Sequence, residues 1–129
     1  MAFEIPGRKI TRVCGAASLA AKKFYFVKLH TDGTAIVPAA DTDVPYGILQ
    51  NNPDVGGEAE VMRDGVSKVV AGTAIVIGNL VGTSSAGKAM VYVNGSDTTK
   101  YIVGTALSAG GDTEIITVDF SCVTPNRGT

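Results

Sequence analysis

The sequence has few of the residues from which catalytic and metal sites are usually built. Its 129 residues include no tryptophan, one histidine and two cysteines, and aromatic side chains account for 6%. Cys14 and Cys122 stand far apart and belong to no CxxC or CxxH pattern, so they form neither a zinc motif nor a redox motif locally. We expect two reduced side chains in the core. A disulfide between them remains an alternative that spacing alone does not decide.

Long apolar runs are also missing. No stretch approaches the roughly 18 consecutive apolar residues that a membrane helix needs. The N-terminus places Glu4 and Pro6 before its basic residues, whereas a secretory signal starts with basic residues followed by an apolar run. These features predict a protein that is made in the cytoplasm without processing and has no membrane partner.

The chain has no strong excess of charge of either sign. Its net charge of −1 excludes a strongly basic nucleic-acid binder, so we expect no nucleic-acid partner. The charges are nevertheless unevenly distributed: residues 1–30 carry six basic side chains and one acidic, and residues 32–64 carry seven acidic and one basic. Either the charges solvate separate faces, or the leading segment docks on an acidic surface such as a neighbouring copy of the chain. In the second case the binding residues are Arg8, Lys9 and Arg12.

What the sequence does contain is a series of short β-rich segments bounded by turn signals. They recur roughly every ten residues, a spacing typical of an antiparallel sandwich or small barrel. Helical spacing is limited to a short stretch after Cys14, where coil or a short helix fits. The predicted strands are FYFVKL (24–29), TAIV (34–37), YGIL (46–49), EAEVMR (58–63), VSKVVA (66–71), AMVYV (89–93), YIVGTAL (101–107) and EIITVDF (114–120).

Turn residues separate these segments. Asp32-Gly33, Asp64-Gly65 and Asn94-Gly95 tolerate positive φ at low cost and each lies between two β-rich segments, which predicts three hairpins. Gly110-Gly111-Asp112 predicts a further reversal before the last strand. The glycines within residues 72–88 suit tight corners of a small sheet.

Alternation in two segments predicts which side chains are buried. In the segment 58–63, Glu58, Glu60 and Met62 fall on one face and Ala59, Val61 and Arg63 on the other, and the glutamates should face solvent. In the last strand, the face formed by Ile116, Val118 and Phe120 should be buried. The opposite face, formed by Ile115, Thr117 and Asp119, should contact solvent.

The chain divides into three predicted parts. Residues 1–20 show neither strand nor helix periodicity, so we expect an extended N-terminal arm that is mobile until a partner orders it. Residues 21–123 form a single β-barrel-like domain, since a chain of this length can bury one core. Residues 124–129 form a frayed tail.

No catalytic, cofactor or metal site is predicted, and we expect a protein that is not an enzyme. His30 precedes a turn, where a partly exposed structural histidine is the usual role. Asp41-Thr42-Asp43 lacks the glycine and the closing glutamate of a calcium loop. Lys88 follows Gly87 in a β-rich context, which is loosely similar to the modified lysine of lipoyl and biotinyl carrier domains, although those domains have an acidic residue or methionine before the lysine.

A set of short motifs resembles, in order and spacing, a family of small capsid decoration (cement) proteins of tailed bacteriophages. The match covers about 100 residues, and its weight comes from the order of the motifs because each is individually a common turn or strand pattern. The motifs are PYGILQ (45–50), GVSKV (65–69), GKA (87–89), GTAL (104–107) and EIITV (114–118).

The resemblance implies a compact, tulip-like β-barrel that joins the outer surface of a phage capsid and stabilises the shell. It implies the major capsid protein as a partner, self-association as a homotrimer, and no catalytic residues or cofactors. An N-terminal extension containing Cys14 departs from many members of the family. Two alternatives remain, another β-rich phage component such as a tail protein and, with less support, a lipoyl-like carrier domain.

Overall fold

Two curled sheets and one short strand pair make up the structure. The computed structural model describes residues 4–93, 95–97, 99–123 and 126–127, and no helix occurs among them. None of the described residues therefore forms a helix that could cross a membrane. The strands are β1 (Ile5–Pro6), β2 (Lys9–Val13), β3 (Phe26–Leu29), β4 (Ala35–Ile36), β5 (Gly47–Leu49), β6 (Glu58–Met62), β7 (Asp64–Val70), β8 (Leu80–Thr83), β9 (Ala89–Val91), β10 (Tyr101–Ile102), β11 (Gly104–Ala106), β12 (Ile115–Ser121) and β13 (Asn126–Arg127).

Both sheets are antiparallel and strongly curled. One has the strand order β2-β6-β5-β3-β4, the other has the order β1-β7-β12-β11-β8-β9, and β10 pairs with β13. The curl brings the end of β2 to β4 through a bridge between Cys14 and Ala35, and the end of β7 to β9 through a bridge between Ala71 and Ala89. Each sheet is thus a half-barrel, which confirms the predicted all-β class.

The chain builds the same five-stranded unit twice. In the first unit, residues 9–63, the strand order is β2-β6-β5-β3-β4; in the second unit, residues 64–121, it is β7-β12-β11-β8-β9. Strands β2, β3, β4, β5 and β6 therefore correspond to β7, β8, β9, β11 and β12. Corresponding strands align from their first residues, apart from β2 and β7, which align from their last. The two closing bridges also correspond, because Cys14 and Ala71 directly follow β2 and β7, and Ala35 and Ala89 begin β4 and β9.

Turn geometry repeats with the strands. Gly33 and Gly87, which lie in the equivalent turns before β4 and β9, have φ angles of 85° and 84°. The amide of Gly33 donates to the carbonyl of His30 at 2.9 Å, and the amide of Gly87 donates to the carbonyl of Ser84 at 3.1 Å. Such agreement in strand order, bridges and turns indicates an internal duplication.

Each unit has its own apolar interior, and equivalent positions fill it. The first is lined by Cys14, Leu19, Val27, Ala35, Leu49, Ala59 and Val61. The second is lined by Ala71, Ile75, Val81, Ala89, Ala106, Ile116 and Val118. The second core also takes in Phe26, Ile48 and Met62 from the outer face of the first unit, and this contact joins the units.

The predicted arm, residues 1–20, contains strands that the sequence analysis did not predict. All of β2 pairs with β6, and β1 pairs with β7. Leu19 is fully buried in the first core. The segment forms strands although its sequence shows no clear strand periodicity, because Arg12 takes an inward-facing position of β2, opposite Ala59, and masks the alternation. Its guanidinium reaches a backbone carbonyl.

Of the three predicted hairpins, one is confirmed, one is wrong and one involves a residue outside those the structure describes. Asp32-Gly33 does connect the paired strands β3 and β4. Asp64-Gly65 instead starts β7 at the point where the chain leaves one sheet for the other, so it forms a corner. Asn94 lies outside the described residues, and the strands on either side of it, β9 and β10, pair with β8 and β13 among the residues that are described. The reversal at Gly110-Gly111-Asp112 is confirmed, since it lies between the paired strands β11 and β12.

The predicted alternation holds in β6 except at Met62, which shares the face of the glutamates yet is fully buried against the second unit, and in β12 except at one residue. Glu58 and Glu60 are exposed, and the predicted buried face of β12 is buried. Thr117, expected to be wet, is fully buried, and its amide donates to Ser108 Oγ at 2.8 Å. Of the predicted tail, Asn126–Arg127 pairs with β10, and residues 124, 125, 128 and 129 lie outside the described residues.

Candidate interaction surfaces

Arg12, one of the three predicted binding residues, is hydrogen-bonded to the backbone of its own unit. Its Nε and Nη2 atoms donate to the carbonyl of Gly33 at 2.9 and 2.6 Å. The guanidinium therefore ties β2 to the turn between β3 and β4, where two parallel donors to one carbonyl fix the turn. The side chain is half-buried, and its first role is structural.

Arg8 and Lys9 have exposed side chains. The backbone of Arg8 is fixed, because its amide donates to Asp64 Oδ1 at 2.6 Å and its carbonyl accepts from the amide of Arg63 at 2.7 Å. The structure brings Arg8 and Lys9 to the surface as neighbours and directs Arg12 inward. The three predicted residues therefore do not form one patch.

A basic and aromatic cluster lies elsewhere, and sequence analysis noted its charges without predicting their grouping. We call Lys22, Lys23, Phe24 and Lys68 the Phe24 cluster. The ammonium of Lys23 is 5.0 Å from the centre of the Phe24 ring, and that of Lys68, from the second unit, is 5.8 Å away. Lys22 stacks over Tyr25 beside them at 4.8 Å. Such contacts hold cations at a surface at a gain of about 0.5–1 kcal/mol each.

The backbone at Phe24 is unusual. Its φ is 68°, in the left-handed region that residues with a Cβ rarely adopt. The equivalent residue of the second unit is Gly78, with φ of 90°. The position thus requires positive φ in both units, and the first unit accepts the cost with a large side chain that stands between lysines.

Two cavities of about 310 and 320 Å³ flank the turn between β3 and β4. Asp32 and Thr34 line both of them, and Arg12 borders the second. The carboxylate of Asp32 accepts from the hydroxyl of Thr34 at 2.6 Å and from its amide at 3.0 Å. These bonds, with a smaller contribution from His30, lower the pKa of Asp32 to about 2, so this carboxyl stabilises the turn as an anion.

His30, Asp41 and Asp43 each pair with a different side chain. The imidazole of His30 is about half exposed and lies 3.2 Å from Asp32, as expected for a structural histidine. Asp43 pairs with Lys28 at 2.8 Å, and Asp41 lies 3.4 Å from Lys100, so the two aspartates turn to different partners. No group of three or more potential metal ligands occurs in the part of the chain that the structure describes.

Lys88 does not stand on a free turn, as a carrier lysine must. The carbonyl of Gly87 accepts from the amide of Phe26 at 2.7 Å. A Cβ on Gly87 would lie 2.6 Å from the carbonyl oxygen of Phe26, so this turn is pressed against the first unit. Lys88 itself is only about a quarter exposed.

The two cysteines are free and buried, which confirms the prediction of two reduced core side chains. Burial raises the pKa of the Cys122 thiol to about 12, and the nearby charge of Arg63 offsets this only in part. Arg63 also donates to the carbonyl of Cys122 at 3.1 Å and stacks on Tyr46 with 4.0 Å to the ring centre. This thiol is therefore protonated at neutral pH and unsuited to nucleophilic chemistry.

The described residues form a duplicated all-β scaffold, and the basic and aromatic Phe24 cluster lies on its surface. No family model matches the chain, and no curated protein matches it. Its fold is similar to that in the crystal structure of the head fiber gp8.5 N base in bacteriophage phi29, with a TM-score of 0.65 and 18% sequence identity. The similarity covers 89% of this chain and 96% of that chain, and at this identity it concerns the fold.

Proposed function

We propose that this chain is a structural protein of a phage head that attaches to the outer surface of the capsid and stabilises the shell, without enzymatic activity. The observation that carries the proposal is the fold similarity to a phage head fiber base over nearly the whole of both chains. The motif order that resembles capsid cement proteins supports the same role independently. In this role the partners are the major capsid protein and further copies of the chain, for which a homotrimer remains our proposal.

The Phe24 cluster is the proposed contact with an acidic capsid surface, together with the exposed Arg8 and Lys9. Lysines held over an aromatic ring lose less side-chain entropy on binding than free lysines do. Exposed charges of this kind mainly accelerate association, and their effect falls as salt screens them beyond about 8–10 Å. Many copies on one shell then add avidity to a modest contact.

The test uses capsids assembled from the major capsid protein of the same genome and freed of this chain. The purified protein should co-sediment with these capsids, saturate at a fixed ratio and raise the temperature at which the shells break. The double variant Lys22→Glu/Lys23→Glu should bind more slowly, with the largest loss at low salt. The matched control is Glu58→Lys/Glu60→Lys, which reverses two exposed charges on β6 and should not slow binding.

Three results would count against the proposal. No co-sedimentation at any salt concentration would remove capsid attachment. Binding without any rise in the breakage temperature would remove the stabilising role. Tubes, or rings of many more copies than the proposed trimer, in electron micrographs of the purified protein would favour a tail component.

A further inference from the structure

The two units contribute different surfaces to the contact between them. The outer face of the first unit packs on the open side of the second: Phe26, Ile48 and Met62 are fully buried there. Gln50 Nε2, from the same face, donates to Ser67 Oγ of β7 at 3.0 Å. The first unit thus contributes its outer face to the contact between the units. The second unit contributes its open side, which includes β7 and the turn at Gly87.

Duplication gives the second unit the same outer face, and the described chain leaves part of that face exposed. The positions equivalent to Phe26, Ile48, Gln50 and Met62 are Leu80, Thr105, Leu107 and Asp119. Leu80 is 41% exposed and Leu107 is 38% exposed, whereas Phe26 and Ile48 have no exposure. Asp119 is also exposed and Thr105 is half-buried.

The first unit has the matching open side. Its positions equivalent to Ser67, Val69 and the turn at Gly87 are Ile10, Arg12 and the turn at Gly33. Ser67 and Val69 are fully buried, whereas Ile10 and Arg12 are half-exposed. The two cavities of about 310 and 320 Å³ lie beside this turn, where the equivalent turn of the second unit is covered by the first unit.

We propose that the outer face of the second unit docks on the open side of the first unit in another copy of the chain. The contact would repeat between chains the one that already exists within the chain. Its side chains are complementary: Leu107 would meet Ile10 where Gln50 meets Ser67, and Asp119 would face the cation of Arg12 where Met62 and Val69 share a core. Between chains, an apolar pair would thus take the place of the hydrogen bond found within the chain. An opposite-charge pair would take the place of the apolar contact.

This interface joins two different surfaces, so every copy has one of each to offer. Such head-to-tail contacts form rings if the rotation closes and filaments if it does not. The inference rests on the self-association in the proposed function and names its surfaces; it does not depend on capsid binding.

The first measurement is sedimentation velocity over a range of protein concentrations. The double variant Leu80→Asp/Leu107→Asp should be monomeric at concentrations where the wild-type chain assembles. These positions are exposed, so folding should be retained, which far-UV circular dichroism checks. The matched control is Val44→Asp/Val55→Asp, at residues 50% and 56% exposed, which should assemble like the wild type.

A mixing experiment separates a head-to-tail interface from a symmetric one. Ile10→Asp removes the open side and leaves the outer face, whereas Leu80→Asp/Leu107→Asp does the reverse. Each variant alone should be monomeric, but the mixture should form one-to-one dimers through its remaining pair of surfaces. Should Ile10→Asp fail to fold, Asp119→Arg tests the same contact from an exposed position: facing Arg12, it should weaken assembly more than Asp119→Asn does.

Assembly of Leu80→Asp/Leu107→Asp at wild-type strength would overturn the inference while leaving self-association in place. A mixture of two folded monomeric variants that stays monomeric would also overturn it. A wild-type chain that remains monomeric at its highest soluble concentration would overturn both this interface and the proposed self-association, and the co-sedimentation test of capsid attachment would stand apart from that result.

Discussion

Gly47 and Gly104, the first residues of β5 and β11, occupy the same place in the two units and face the same obstacle. A Cβ on Gly47 would collide with the carbonyl oxygen of Met62, and one on Gly104 with that of Asp119, which holds the position of Met62 in the second unit. Both glycines therefore allow the close approach of the neighbouring strand.

Alanine at either glycine should therefore destabilise the protein. Because backbone must move to admit the methyl group, we expect Gly47→Ala and Gly104→Ala each to lower the free energy of unfolding by about 1–3 kcal/mol. Urea denaturation monitored by circular dichroism measures this. Gly111→Ala is the control, since its Cβ would meet only the end of the Glu114 side chain, at 3.1 Å, and no backbone atom, so it should change stability little. Equal effects at all three glycines would contradict the interpretation.

Much of the fold can be predicted from the sequence, because each of the eight predicted segments contains a strand. Turn dipeptides predict that the chain changes direction, but not which strands pair afterwards. Asp64-Gly65 has the composition of a hairpin yet forms a corner, where Gly65 has a φ of 112° and a Cβ would lie 2.6 Å from the amide nitrogen of Gly7. That obstacle comes from the N-terminal strand and has no trace in the local sequence.

The interaction surfaces are less predictable than the strands. Phe26 and Val27 are adjacent apolar residues of one strand, but Val27 fills its own unit and Phe26 packs on the other unit. Alternation identifies two faces and cannot tell which partner covers each. The internal repeat supplies a signal that was missed, since GTAIV (33–37) aligns with GKAMV (87–91), and the glycines and interior alanines of the two segments coincide.

Removal of the N-terminal strands should destabilise the domain. Deletion of residues 2–12 takes away β1, most of β2 and the bonds from Arg12 to Gly33, and it uncovers one edge of β6. We expect a clear fall in melting temperature, corresponding to a large share of the roughly 5–15 kcal/mol typical of a domain. Differential scanning calorimetry measures it, with Arg8→Glu/Lys9→Glu as a control that keeps the strands. An unchanged melting temperature would show that this segment is the separable arm that its sequence suggested.

Both thiols should be unreactive in the folded protein. Cys14 and Cys122 are free and at most 2% exposed, and the thiolate of Cys122 is disfavoured by its raised pKa of about 12. A thiol reagent at neutral pH should therefore modify neither cysteine in the native protein and both in denaturant. Reductant should leave the melting temperature unchanged. Rapid modification of one thiol under native conditions would mean that its core opens locally.

Acid should weaken the turn between β3 and β4 within a defined pH range. The pKa of Asp32 is lowered from its usual 3.8 to about 2, chiefly by the hydrogen bonds from Thr34. A carboxyl whose pKa is lower in the folded state contributes stability above its unfolded pKa and loses it as pH falls through its folded pKa. The melting temperature of the wild type should therefore fall further between pH 4 and pH 2 than that of Asp32→Asn. Parallel acid profiles for the two proteins would show that this carboxylate does not stabilise the turn.

Single substitutions at the equivalent positions Phe24 and Gly78 test separately the effect of this position on folding and on capsid binding. Phe24→Gly removes the cost of a left-handed backbone, roughly 1–2 kcal/mol, which should stabilise the protein. It also removes some packing of the ring, which should destabilise it, so the net effect on stability should be small. It also removes the ring that holds Lys23 and Lys68, and should therefore slow association with capsids. Gly78→Phe introduces the backbone cost in the second unit and should lower the free energy of unfolding by about the same 1–2 kcal/mol. Urea denaturation and capsid co-sedimentation of both variants provide the comparison. A Phe24→Gly protein that is strongly destabilised would show that the ring serves the fold, and one that binds capsids at the wild-type rate would remove the Phe24 cluster from the proposed contact.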